Sequence, residues 1–547
     1  MDHLPEALYR AANTRAADRR AVSEFGLADG VLMERAGSAA FALLRERFPR
    51  ARRIGVVCGP GNNGGDGYVL ARLAGEAGLA VTALSLANTV EPKGDALAAR
   101  DAWRKTGGTV QILSAEQLQA CDVIVDALFG TGLERPLEGE WRAAVEAMNA
   151  SGRPIFAIDI PSGLHADTGR VLGAAVRAAL TLSFIGLKAG LFTGQGREHS
   201  GLILFNDLGV PDAVFAGVTP LARRITGRNL QGLLAPRRRH AHKGDAGRVL
   251  IAGGQPGMPG AVRLAGEAAY RAGAGLVVLA THPAHAALIG AARPELIAHG
   301  VNDATAMQSL LAGAQALAIG PGLGQGEWAR ALWQALLAAN VPVVVDADAL
   351  NLLAAQPCAR ADWVLTPHPG EAARLLGVSV ADIQTDRFAA VRAIVQRYGG
   401  VCVLKGSGTL IATAMDGGRF GLLPSRGITP SMEGRSAGRE AVSSEGGLIH
   451  WTTAGAAFPP VKDEPTFWLC DRGNPGMGTG GSGDVLTGVI AALLAQGLKP
   501  YDAARLGVWA HASAGDLAVA SGERGVLASD LLNPLREAIN NIATHAT

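Results

Sequence analysis

Asp484 closes the glycine-dense loop GTGGSGD (Gly478–Asp484), and the apolar run VLTGVIAALL follows at once. A glycine loop feeding a helix leaves unpaired backbone N–H groups aimed at whatever binds there. Such a loop can cradle a phosphoryl group, and a carboxylate at its end can take a proton from an acceptor hydroxyl. The same carboxylate could instead only complement the helix N-terminus, for about 0.3–1 kcal/mol. KGSGT (Lys405–Thr409) lies upstream in the same half and adds a lysine. Phosphoryl transfer is catalysed by positioning and charge stabilisation, so two amide-lined loops, one lysine and one base would suffice. A separate groove is expected from GGQPGMPGA (Gly253–Ala261), GPGLG (Gly320–Gly324), DADALN (Asp346–Asn351) and TPHPGE (Thr366–Glu371). His368, between two prolines, could contact an anionic or sugar group or be fixed by structural hydrogen bonds. Asp346 and Glu371 are candidates to help hold a hydrated magnesium ion.

The first half carries its own constellation. VVCGPGNNGGDG (Val56–Gly67) reads as strand, sharp turn and helix, and it is not the GxGxxG dinucleotide fingerprint. Its two asparagines and Asp66 offer oxygens that suit a hard cation as well as amides that suit an anion. VDALFGTGLERP (Val125–Pro136) and AIDIPSGLHADTG (Ala157–Gly169) end two further strands. Strand C-termini converge at the crevice of a doubly wound sheet, so three such loops form one pocket. Each loop alone could be a tight turn with a helix cap. Asp159 ends an apolar strand, where partial burial would raise its pKa toward a range useful for proton transfer; it could also simply cap the following turn.

The elements that position these loops are legible as short apolar runs alternating with amphipathic stretches. CDVIVDALFG and PIFAIDIPSG in the first half, and RVLIAGG, ALAIGPGLG and VPVVVDADAL in the second, are continuous rather than alternating. That pattern implies parallel sheets covered on both faces, hence an α/β protein. At 547 residues, two large domains fit the length. The expected boundaries are 1–217, a basic linker at 218–240 that contains RRRHAHKG, and 241–547. The linker's charge run could be a solvated face or a rim attracting anionic ligands. Residues 414–466 show no sustained period and are read as an inserted, disordered segment between KGSGT and GTGGSGD.

Bulk composition narrows the function classes. Charged residues make up 18% and the formal net charge is +2, which gives no case for nucleic acid as a partner. The five cysteines show no CxxC spacing, so neither a disulfide framework nor a zinc site is expected, and a reducing compartment fits. The N-terminus is charged throughout and no apolar span of membrane length is present, so a cytoplasmic enzyme with no membrane partner is expected.

The first constellation, with GLADGVLMERAG (Gly26–Gly37) and GLKAGLFTG (Gly186–Gly194), resembles the YjeF N-terminal family, the NAD(P)HX epimerases, over about residues 1–215. The resemblance implies a Rossmann-like doubly wound parallel sheet. It implies that Asn62, Asn63, Gly64, Gly65 and Asp66 hold the hydrated nucleotide, with Gly130, Thr131, Gly132, Leu133, Glu134, Arg135, Pro136 and Asp159 also contacting it. It implies a potassium ion on Asn63, Asp126 and Ser162, and Asp159 as a catalytic group.

The second constellation resembles the YjeF C-terminal family, the ADP-dependent NAD(P)HX dehydratases, over about residues 225–540. That resemblance implies a ribokinase-like α/β sandwich with ADP as co-substrate and a magnesium ion. Lys405, Gly406, Ser407, Gly408, Thr409 and Gly483 would contact the adenine nucleotide. Asp484, His368, Gly324 and Ala261 would face the hydrate, with Asp484 catalytic. Both families in one chain imply NADHX and NADPHX as substrates, and homo-oligomers. The family joins KGSGT to GTGGSGD by a shorter connection than this chain does. A ribokinase-class small-molecule kinase uses the same kind of GxGD loop on a stable alcohol and is the leading alternative. A non-catalytic nucleotide sensor would leave the first pocket and Asp484 without a role.

Overall fold

The computed structural model of the chain describes residues 3–413 and 467–544; the stretch 414–466, expected to be an insertion, lies outside the described residues. Among the described residues no helix is long and apolar enough to cross a membrane.

The first half builds an entirely parallel seven-stranded sheet. Its order is Val110–Ile112, Ala80–Ser85, Arg53–Cys58, Val123–Ala127, Ile155–Ile158, Leu180–Phe184, Leu202–Asn206. Its central strands are apolar on both faces apart from exposed Arg53 and buried Asp126, because each face meets helices. Ile54, Val56 and Cys58 face a core shared with the helices Val31–Arg47 and Asn62–Glu76, while Val57 and Ile124 face Leu118, Val145 and Met148 on the other side. The strand order reverses between Arg53–Cys58 and Val123–Ala127, so the loops leaving these two strands open the crevice where ligands collect. Their backbones nearly touch: a Cβ on Gly59 would lie 1.8 Å from the Leu128 carbonyl oxygen.

The second half repeats the plan. Leu250 and Ala252 face one helical layer and Val249 and Ile251 the other, as strand alternation requires. Six parallel strands run Ile297–Gly300, Leu276–Thr281, Arg248–Ala252, Ala316–Ile319, Val343–Val345, Trp363–Leu365, and Val401–Leu404 adds a seventh in parallel. Thr409–Thr413 and Phe467–Cys470 continue the sheet antiparallel. The order again reverses beside Arg248–Ala252, where a Cβ on Gly253 would lie 2.0 Å from the Pro321 carbonyl oxygen. The helix Ser482–Ala495, apolar nearly all round, is buried against the helix Pro259–Arg271.

The two halves share hydrogen-bonded sheet. Ala222–Arg224 pairs in parallel with Phe467–Cys470, Ala7–Tyr9 pairs with Ala222–Arg224, and Leu187–Lys188 adds a final edge. The stretch 218–240 thus contains a strand and the short helix Gly227–Leu230, with Leu221, Ile225 and Leu230 buried and Arg237, Arg238 and Arg239 exposed. Arg224, 1% exposed, donates to Asp471 Oδ2 from Nε at 2.9 Å and Nη2 at 2.7 Å, and from Nη1 to the Leu4 carbonyl at 3.0 Å. Removing one partner of such a pair strands a buried charge, at a cost of about 3–5 kcal/mol. Asp471→Ala is therefore expected to lower the unfolding free energy by that amount and the denaturant midpoint with it, and an unchanged midpoint would contradict the role given to this pair.

Candidate functional site

In the first half, a cleft of about 1440 Å³ opens over the switch point. Asn62, Asn63, Asp66, Gly130, Thr131, Gly132, Leu133, Glu134, Arg135, Pro136 and Asp159 all line it, so the structure brings the three expected loops together. Gly64 and Gly65 do not line it. A Cβ on Gly64 would meet the Gly59 carbonyl oxygen at 1.9 Å and one on Gly65 would meet Met33 at 2.5 Å, so both serve close packing under the loop.

Asp159 adopts φ +66°, unusual for a residue with a side chain, and its carboxylate pairs with Lys188. The Lys188 ammonium, 2% exposed, also donates to the Phe184 carbonyl at 2.9 Å and Ser183 Oγ at 3.2 Å. Lys188 belongs to the quoted GLKAGLFTG stretch, whereas sequence reasoning missed Asp18. Asp18, on the helix Ala11–Ser23, lines the same cleft one turn from Thr14, which also lines it. Burial pushes the Asp18 carboxyl up to about 6, with Lys188 opposing and Asp159 adding to the shift. Burial, then Asp159 and Asp18, push Asp66 well above the carboxylate range. Among the groups lining the cleft, which also include Arg15 and Arg19, burial thus holds Asp18 and Asp66 above the usual carboxylate range beside the Asp159–Lys188 pair. The i,i+4 spacing of Thr14 and Asp18 is the only sequence signal that could have flagged them.

Beneath the cleft, Asp126 is fully buried. It accepts from Ser162 Oγ at 2.6 Å, from Ser162 N at 2.8 Å and from Leu128 N at 3.2 Å. Burial still pushes it up to about 6. Nearby, the Asn63 side chain is buried with neither its oxygen nor its nitrogen hydrogen-bonded. Gly130 joins the two levels, since a Cβ there would lie 3.6 Å from Asn63 Cγ and 3.6 Å from Asp159 Oδ2.

In the second half, the two expected grooves are one site. Lys405 Nζ, at the end of Val401–Leu404, reaches Asp346 Oδ1 at 2.7 Å and Glu371 Oε2 at 3.8 Å. Gly483 lies against this pair, for a Cβ there would be 3.2 Å from Lys405 Nζ and 3.7 Å from Asp346 Oδ2. Thr487 Oγ1, three residues past Asp484 and unforeseen from sequence, donates to Asp346 Oδ2 at 2.7 Å. Burial alone would raise Asp346, but Lys405 and the hydroxyls of Thr487 and Thr366 outweigh it and hold the carboxyl below its usual range. Asp484 has no such donor set: burial, then Asp346, push it up to about 7 against the pull of Lys405.

His368 caps the helix Pro369–Leu376, its Nδ1 accepting from Gly370 N at 2.9 Å, while Glu371 Oε2 accepts from His368 N at 2.8 Å. Nε2 of the half-exposed ring lies 3.4 Å from Glu371 Oε1, and burial followed by Lys405 and Arg374 lowers the ring's pKa. Gly324 N donates to Asp348 Oδ2 at 2.8 Å, and Asp348 is among the charges that raise Asp484. Ala261, on the helix Pro259–Arg271, would stand 3.2 Å from a Cβ at Gly322. Leu264, one turn along that helix, packs on Gly481 of the glycine loop. Gly406 and Ser407 are exposed, and Thr409 Oγ1 closes their turn on the Gly406 carbonyl at 3.1 Å.

Neither carboxylate expected to help hold magnesium is free. Both Asp346 oxygens and one Glu371 oxygen are engaged as described, and no cluster of three His, Cys, Asp or Glu able to hold a metal occurs among the described residues. A magnesium ion here would have to arrive on a polyphosphate and keep its waters.

Residues 29–190 match the family described as YjeF-related protein N-terminus, and residues 249–422 and 457–537 match NAD(P)H-hydrate dehydratase. The chain is 42% identical over 97% of its length to the bifunctional NAD(P)H-hydrate repair enzyme Nnr of Coxiella burnetii, spanning 99% of that protein. It is 42% identical over 98% of its length to the Escherichia coli K12 protein of the same name, spanning 95% of it. An ADP/ATP-dependent NAD(P)H-hydrate dehydratase of Bacillus subtilis, co-crystallised with ATP and Mg2+, is 27% identical, covers 58% of this chain and 98% of its own, and superposes with a TM-score of 0.44. With the two sheet topologies above, the halves are a Rossmann-like doubly wound sheet and a ribokinase-like α/β sandwich.

The raised Asp484 has a consequence for stability that is independent of any reaction. Between the unfolded carboxylate value near 4 and about 7, the folded chain binds the extra proton, so folding stability falls as pH rises through that window. Asp484→Asn removes this penalty. The variant is expected to melt above the parent at pH 8, with the gap narrowing toward pH 5; a gap that is absent or constant with pH would contradict the raised pKa.

Proposed function

The chain belongs to the family of bifunctional NAD(P)H-hydrate repair enzymes, and from that premise we propose that its two sites act in sequence on hydrated nicotinamide cofactors. Residues 1–217 form the epimerase, which interconverts R- and S-NAD(P)HX. Residues 241–547 form the dehydratase, which returns the S form to NAD(P)H at the expense of ADP. The observation that carries this reading is Asp484, half-buried at the mouth of a glycine loop, with Lys405 and Gly483 beside it and its carboxyl raised to about 7.

In the dehydratase, Asp484 takes the proton of the C6 hydroxyl as that oxygen attacks the β-phosphorus of ADP, and AMP leaves. A base that titrates near the working pH is well matched to this transfer. Lys405 and the amides around Gly483 balance charge on the phosphoryl group in flight. The phosphate ester is a better leaving group than hydroxide. The lone pair of ring N1 expels it, and loss of a proton from C5 restores the dihydropyridine. The kinase alternative stops at the phosphate ester, but an ester on a carbon that also bears nitrogen does not persist.

In the epimerase, C6 carries both the hydroxyl and N1. A protonated carboxyl beside the Asp159–Lys188 pair, Asp18 or Asp66, gives a proton to the hydroxyl, and the ring nitrogen expels it as water. Water returning to the opposite face, with its proton going back to these carboxyls, inverts the centre. Potassium is assigned beneath this cleft on the partnerless oxygen of buried Asn63, with Asp126 and Ser162 exchanging hydrogen bonds to each other and to the Leu128 and Phe129 N–H groups for the ion. It would supply a fixed positive charge near the pyrophosphate of the hydrate.

Asp484→Asn is expected to lower ADP-dependent NADH recovery from S-NADHX by at least about a hundredfold, while chromatography still shows R and S forms equilibrating. Undiminished recovery would sink the assignment of Asp484. Replacing tetramethylammonium chloride by potassium chloride is expected to raise the melting midpoint of the parent but not of Asn63→Ala; equal responses would remove potassium from this site.

A further inference from the structure

The loop Lys405–Thr409 is not held by its own half alone. Its outer side lies directly on Phe192–Gly194, the end of the segment that begins at Lys188 in the epimerase cleft. A Cβ on Gly408, which adopts φ +65°, would stand 2.0 Å from the Phe192 carbonyl oxygen and 2.7 Å from Thr193 Cα. Gly194 N donates to the Ser407 carbonyl at 3.2 Å, and Thr193 Oγ1 donates to the Gly408 carbonyl at 3.2 Å.

Arg387 locks this contact from the inside. It is 1% exposed, and its Nε donates to Thr193 Oγ1 at 3.2 Å. Its Nη2 donates to the carbonyls of Leu404 at 3.2 Å, Lys405 at 3.3 Å and Gly408 at 3.4 Å, and its Nη1 to Gln384 Oε1 at 3.3 Å. These partners include no carboxylate. A buried guanidinium is expensive to desolvate, and here its donors go mainly to the backbone of one loop. Burial lowers its pKa to about 10, which still leaves it charged at neutral pH. Thr193 is fully buried and works in both directions, accepting from Arg387 and donating to Gly408.

We propose that Thr193 and Arg387 are positioning residues for the adenine-nucleotide step, so that the epimerase half completes the nucleotide loop of the dehydratase half. The inference rests on the reading of Lys405–Thr409 as the nucleotide loop. The geometry requires both halves: Thr193 comes from the first, and the carbonyls it and Arg387 hold come from the second. A loop carrying two positive-φ glycines, Gly406 at +128° and Gly408 at +65°, has little rigidity of its own, and an external clamp substitutes for it.

The test uses the full chain and ADP as the probe. Thr193→Val keeps the shape and removes both hydrogen bonds; it is expected to raise the KM for ADP about tenfold, with kcat within twofold of the parent and epimerisation unchanged. Thr193→Ser keeps the hydroxyl and is expected to match the parent, which separates the hydrogen bond from packing and from misfolding. Arg387→Lys, unable to span the carbonyls, is expected to raise the KM likewise. An unaltered KM in Thr193→Val and Arg387→Lys would overturn the proposal, as would Thr193→Ser behaving like Thr193→Val. Lys405→Met in the same assay tells the two readings apart: if it leaves both kcat and the KM for ADP unmoved, the loop is not the nucleotide loop and the parent reading fails first.

Discussion

In each half a single lysine faces more carboxyls than it can neutralise, and the rest of each site is arranged around that imbalance. Lys188 pairs with Asp159 while Asp18 and Asp66 share the cleft; Lys405 pairs with Asp346 while Glu371 and Asp484 stand near it. Burial makes the excess negative charge costly, so the unpaired carboxyls hold protons at a pH where an exposed aspartate would not. The pairing decides which group does so. Asp346, with the lysine and two hydroxyls, stays ionised as the anchor, and Asp484, without them, becomes the group that can gain and lose a proton.

Such clusters need walls that exclude water and loops that approach closely, which is where the sheets and glycines enter. Both sheets reverse their strand order at the strand that precedes the first loop of the site. At both reversals two loop backbones touch at a glycine, Gly59 against Leu128 and Gly253 against Pro321. The contacts that fasten the halves include the buried Arg224–Asp471 pair, Thr193 with Arg387, and Arg197 on the Gly473 carbonyl. The segment from Lys188 to Gly194 runs from one cluster to the loop of the other.

Much of this was legible in the sequence, for identifiable reasons. The central strands read clearly because helices on both faces make them almost continuously apolar, and the glycine loops read clearly because they follow those strands at once. Asp484 could be singled out because its loop has no other side chain able to act as base. What stayed hidden depends on partners far apart in the chain. Lys405 and Asp346 are 59 positions apart and Thr487 and Asp346 are 141 apart, so two loop sets that looked like separate grooves merge into one. Asp18 shares its helix with Arg15, Arg19 and Arg20, so it reads as one charge on a solvated face, with only its spacing from Thr14 to set it apart. The stretch 218–240 read as linker because of its arginines, while the strand Ala222–Arg224 gains its place only by pairing with Phe467–Cys470.

The claim that one chain carries two sites acting in order on the same damaged cofactor is tested most directly by mass balance. A mixture of R- and S-NADHX incubated with the full chain, potassium, magnesium and excess ADP should yield NADH equal to the sum of both epimers, and none without ADP. Recovery that stops at the S fraction, or that proceeds without ADP, would contradict the account.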